Sequence, residues 1–188
     1  MGSAPIGWLQ ISAIFVTAYV LVFAGAWVSL WRDFLGAQVD FLPALMVYCG
    51  VRAGLPVLAS VAVAGGLWFD TLSANPLGVS ILPLFFSGLA IHAQRELILR
   101  QEAYAQFVLG VIASAMAPAL SVFLLFASGS NPALGWVSLW QWLVMALAGG
   151  AATPALFAVF DRLSGALTYQ AAPESVYRAD REIKRGRI

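Results

Sequence analysis

The feature that most constrains this chain is an uncharged stretch of 24 residues, 8–31, near its start. A helix of that length crosses roughly 30 Å of hydrocarbon. Trp8, Trp27 and Trp31 stand where indole rings favour the boundary between lipid and water. Further apolar runs follow, and the whole chain is 61% hydrophobic and 10% charged, against about 45–50% and 25% in an ordinary soluble domain. Lipid is therefore the solvent for most of its surface, and soluble globular classes are excluded. Residues 1–7 carry no positive charge and the first apolar run is too long for a signal-peptide core, so the first helix is expected to remain in the mature protein. Ile6 stands where a myristoylation motif needs Ser or Thr. Cys49, the single cysteine, lies in an apolar run and reads as a small packing residue.

The next run, 41–51, has only 11 residues. It is too short to span unaided, so it either recruits 34–39, with Asp40 turned to protein or headgroups, or crosses in part. A third helix is expected from Pro56 to Leu72, Pro being tolerated in a first turn. Then comes a short polar hinge, 69–78, which contains Asp70, the only carboxylate between Asp40 and Glu96. Asn75 followed by Pro76 is the signature of an N-cap and a first helical residue, which predicts a fourth helix over 76–93, kinked at Pro83. Asp70 and Ser73 stand where the third helix ends, able to satisfy backbone groups that lipid cannot. Fifth and sixth helices are expected over 103–128 and 134–160.

Two patches of small residues recur, Ala62, Gly65 and Gly66 in the third helix and Ala146, Gly149 and Gly150 in the sixth. Such residues let helix backbones approach closely in lipid, where tight packing rather than water exclusion drives association. The repeated pattern suggests two close-packing faces set against each other.

The expected fold is an all-α polytopic membrane protein, about six transmembrane helices in one compact bundle over 1–172, followed by a charged tail, 173–188. Six of the ten Lys and Arg residues follow residue 160. With six crossings and cytoplasmic termini, nine of the ten cations lie inside; if 41–51 does not cross, the N-terminus lies outside and all ten lie inside, and either way the C-terminus is cytoplasmic and the Asp70 hinge faces outward. In the tail, Arg178 with Glu182 and Asp180 with Lys184 have the spacing of helical ion pairs.

Catalytic constellations are not found. His92 is the only histidine and reads as an interfacial polar residue. No metal-ligand cluster, phosphate-binding glycine loop or basic nucleic-acid surface is present, so the sequence points to no cofactor, no metal and no nucleic acid.

From residue 41 to about 88 the chain resembles the rod-shape-determining protein MreD family. The resemblance is carried by an Asp-led apolar segment (Asp40, Phe41, Leu42, Pro43), an Arg-Gly-Pro connection (Arg52, Gly54, Pro56), and a small-residue helix ending in Asp. After that helix comes Leu-Ser-x-x-Pro-Leu-Gly (Leu72, Ser73, Pro76, Leu77, Gly78). It implies a non-enzymatic scaffold subunit of the bacterial inner membrane that acts in cell-shape maintenance. Its partners would be MreC and, through it, the peptidoglycan synthase RodA with a class B penicillin-binding transpeptidase, and the MreB filament. It also implies a fold similar to the substrate-binding subunits of energy-coupling-factor transporters, which makes a vitamin-type binding subunit the alternative. Residues 70–78 are then the candidate partner contact.

Overall fold

The shortest apolar run forms the middle of the bundle. In the computed structural model, which describes residues 7–27, 36–37, 39–73, 76–94, 102–127, 129 and 135–170, it is helix α2, Leu42–Arg52. Residues 42–51 are all buried. A helix apolar all round has no face to give to water and is stable only when surrounded. α2 touches all five other helices: α1 (Trp8–Trp27), α3 (Leu55–Leu72), α4 (Ile81–Ala93), α5 (Ala103–Ala127) and α6 (Trp136–Gln170). Its 11 residues rise roughly 16 Å at 1.5 Å each, and an irregular segment, 39–41, leads into it. Of the two sequence alternatives for this run, the structure thus has a short helix enclosed by protein. Asp40 Oδ1 accepts the Leu42 amide at 2.9 Å and caps its start, with Pro43 in the first turn.

The described residues form six helices and no strand, and α1, α3, α5 and α6 are long and apolar enough to cross a membrane. α1 and α2 run antiparallel, as do α2 and α3. Gly25, near the end of α1, faces the Val39 carbonyl before α2, and Leu42 at the start of α2 lies against Gly65 toward the end of α3. At the far end of α2, Arg52 pairs with Asp161 of α6 at 3.2 Å. Tyr48 stacks on Phe160 at 4.4 Å between ring centroids and meets Phe157 edge-on. Because the two charged side chains of the ion pair are 37% and 49% exposed, screening keeps its contribution small. Asp161→Asn is expected to change stability by no more than about 0.5 kcal/mol in a detergent unfolding titration.

Three expectations about helices need correction. α4 begins at Ile81 rather than at Pro76, because 77–80 form a turn. Pro83 consequently falls in the first turn, where its missing N–H removes no helical bond, and the expected kink has no cause there. α6 continues past 160 to Gln170, its extension tied down by Asp161. The hinge residue Asn75 and the tail 173–188 lie outside the described residues.

The two small-residue patches do pack closely, but not on each other. Gly65 meets Leu42 of α2, and a Cβ on Gly66 would lie 3.0 Å from the Ile81 backbone of α4, while Ala62 beside them is fully buried. Gly149 instead receives the Ser114 side chain of α5, and Gly150 receives Val111 and Phe107, with Ala146 also buried. Each patch serves helices next to its own in the chain, α2 and α4 for the first and α5 for the second. On α5 the matching face is Gln106, Gly110 and Ser114, four residues apart. Thr153 of α6 packs onto Gly110 and donates its hydroxyl to the Gly149 carbonyl at 2.8 Å. Trp142 Nε1 donates to the Ala115 carbonyl at 2.7 Å across the same interface.

Candidate functional site at the hinge end

α3 ends because the chain turns to extended backbone at Ser73, whose amide makes the last helical bond, to the Phe69 carbonyl at 3.0 Å. One turn earlier Asp70 points inward and is only 2% exposed. Its Oδ2 accepts the amides of Gly78 at 2.7 Å and of Ser80 at 3.3 Å. The turn that leads into α4 is thereby held, up to the amide of the N-cap residue Ser80, by a carboxylate from the preceding helix, while the Ser80 side chain itself makes no capping bond. An anion is favoured at that position by the partial positive charge of a helix N-terminus. Oδ1 of Asp70 is buried without a hydrogen-bond partner among the described residues.

Gly78 has φ +93°, a conformation that L side chains rarely adopt. With the Val79 amide on the Pro76 carbonyl and the Ile81 amide on the Gly78 carbonyl, both at 3.3 Å, it makes the tight turn that delivers two amides to one carboxylate. The eight-residue interval from Asp70 to Gly78 is the span of this clamp. It leaves an apolar corner outside: Leu77 is 68% exposed, Leu72 54%, and Pro76 is exposed beside them. Ser73 is half-buried and donates to the Asp70 carbonyl at 3.4 Å. Of the hinge residues named from sequence, Asp70, Ser73 and Gly78 thus build the clamp, while Leu72, Pro76 and Leu77 form its surface.

A second carboxylate stands near the same end. Asp40 borders a cavity of about 20 Å³ between the last turns of α1 (Leu21, Gly25) and of α3 (Phe69, Ser73), which is room for about one water. Asp70 is buried and Asp40 is partly so. Their sequence neighbours are uninformative because burial of both arises where separate helices meet.

At the opposite end His92 Nδ1 lies 3.0 Å from the Gly50 carbonyl. A carbonyl only accepts, so Nδ1 carries the proton, and His92 ties α4 to one of the last carbonyls of α2. α2 and α4 are closest just there, a Cβ on Gly50 coming within 2.8 Å of the Gly88 carbonyl. Cys49 is fully buried within α2. Among the described residues no three His, Cys, Asp or Glu side chains come together.

Sequence reasoning missed the α5 face. Its signal was present as polar or small residues at every fourth position, Gln106, Gly110 and Ser114, overshadowed by the more conspicuous double glycines elsewhere. The chain matches no family model, no curated protein and no solved structure.

Proposed function

We propose that this protein is a non-enzymatic scaffold of the bacterial inner membrane, acting as MreD-family proteins do to position MreC and the synthase RodA with its class B transpeptidase, the MreB filament being reached indirectly. In this reading the C-terminus is cytoplasmic, because that side then holds nine of the ten cations if 41–51 completes a crossing and all ten if it does not. The clamped corner then faces outward. The observation that carries the reading is the Asp70 clamp, since the spacing on which the resemblance rests ties the Gly78 turn to α3 beside the exposed apolar side chains of Leu72, Pro76 and Leu77. A pre-formed apolar projection suits docking, because little order is lost when a partner covers it.

The rival, a vitamin-type binding subunit with a fold like that of energy-coupling-factor transporters, needs an interior of about 300 Å³ or more. α2 occupies the centre of this bundle, and the cavity beside Asp40 is some 20 Å³.

Co-expression with MreC and the synthase, followed by affinity capture of this chain from detergent, tests it. Co-elution of MreC is expected, and Leu77→Glu should weaken it at least tenfold while the variant unfolds like the wild type. Capture of neither partner by the intact protein would overturn the proposal. Depletion in a rod-shaped host should cause rounding.

A further inference from the structure

The stretch 39–41 is irregular backbone set well inside the bundle. Val39 clusters with Val144 of α6, and Phe41 and Ala148 pack against them. Val144 lies eight residues after α6 begins at Trp136, roughly 12 Å along its axis. Non-helical backbone is tolerated at such depth where protein encloses it or where it lines a polar cavity, and Asp40 borders one. An ionisable group so placed has a heavy cost of desolvation unless its charge is balanced.

The surroundings of Asp40 sharpen the imbalance. Its Oδ1 takes the Leu42 amide, and among the described residues no cationic side chain pairs with it. The cavity is bordered by Leu21, Val22 and Gly25 of α1 and by Phe69, Leu72 and Ser73 at the C-terminal end of α3, and a helix C-terminus carries partial negative charge. The end of α3 and a carboxylate, both of negative sign, meet at a space the size of a water molecule. The remaining walls are largely apolar, and Gly25 leaves room where a side chain would stand, a Cβ there lying 3.5 Å from the Val39 carbonyl.

We propose that this cavity is a binding site for one small monovalent cation of sodium size, held by the Asp40 carboxylate with the Val39 carbonyl and the oxygens at the end of α3. One carboxylate balances one positive charge, whereas a divalent ion draws on several. Unwound backbone and helix C-termini are the groups that hold such ions inside membrane bundles. The site joins α1, the 39–41 segment and α3, so its occupancy stabilises the contact of α1 with the bundle. The inference does not rest on the scaffold reading; partner capture and cation binding are measured separately.

Thermal unfolding of the full purified chain in detergent, in sodium, potassium and choline chloride at equal ionic strength, tests it. Sodium should raise the unfolding temperature above that in choline, saturably, with an apparent affinity that weakens as pH falls and protons compete. Asp40→Asn should abolish the sodium response while unfolding no lower than wild type in choline, because its amide oxygen still accepts the Leu42 N–H and the uncompensated charge is gone. Gly25→Leu, which fills the cavity, should weaken the apparent sodium affinity at least tenfold. Equal unfolding temperatures of the wild type in the three salts across pH 5–8 (about the physiological range), or a sodium response intact in Asp40→Asn, would overturn it. Should Asp40→Asn fail to fold, direct sodium binding to the wild type by equilibrium dialysis decides between the same two results.

Discussion

Gly110→Val is expected to destabilise the bundle by about 3 kcal/mol, toward the upper end of what overpacking usually costs. A Cβ at Gly110 would lie 2.9 Å from the Gly149 carbonyl and closer still to Thr153. The carbonyl belongs to a helix backbone and has no rotamer to escape into, so α5 and α6 must separate along their whole contact. In lipid that separation is costly for a particular reason: the helices are held by close packing and interhelical polar contacts, with little contribution from water exclusion. Gly165→Val is the matched control, since nothing lies within 4 Å of a Cβ there. Unfolding of both variants in mixed detergent micelles checks the prediction, and equal behaviour of the two would refute it.

Asp70→Ala should cost a similar amount, about 3 kcal/mol, by a different route. Two amides, Gly78 and Ser80, lose a buried charged acceptor, and hydrogen bonds to charged groups contribute about 1.5–3 kcal/mol each, with buried unpaired donors left behind. Asp70→Asn keeps one oxygen for the amides and should lose less than half as much. The two variants also separate a structural from a docking role of the corner. If Asp70→Asn folds with nearly normal stability yet captures no MreC, the carboxylate matters beyond the clamp. If capture falls only in proportion to stability, the clamp accounts for it.

The hinge shows how far residues alone reach. A carboxylate at the end of one apolar run, followed by Leu-Ser-x-x-Pro-Leu-Gly, marked the turn, and Asp70 is its central group. The local N-cap signal of Asn75 and Pro76 misled, because the left-handed Gly78 delays the helix until Ile81 and a distant carboxylate satisfies the freed amides. Capping statistics describe a residue and its own helix, whereas here the cap comes from another helix. The small-residue patches were legible as packing faces for the same reason that their partners were not: the absence of a side chain states that something comes close, but not what.

The sequence by itself determined the class of fold, since long uncharged runs with Trp at their ends admit only helices in lipid, where every backbone group must be satisfied within the segment. It also determined the positions of α3 and α5 to within a residue or so, because Pro, charge and length bound them on both sides. Only the tertiary structure decided that the run too short to span, 42–51, is the centre of the bundle, and that Asp70 and Asp40 are drawn inward. Burial of a helix on all sides and the balance of a charge both depend on what surrounds them. Those surroundings come from helices far apart in the chain, which no local pattern records.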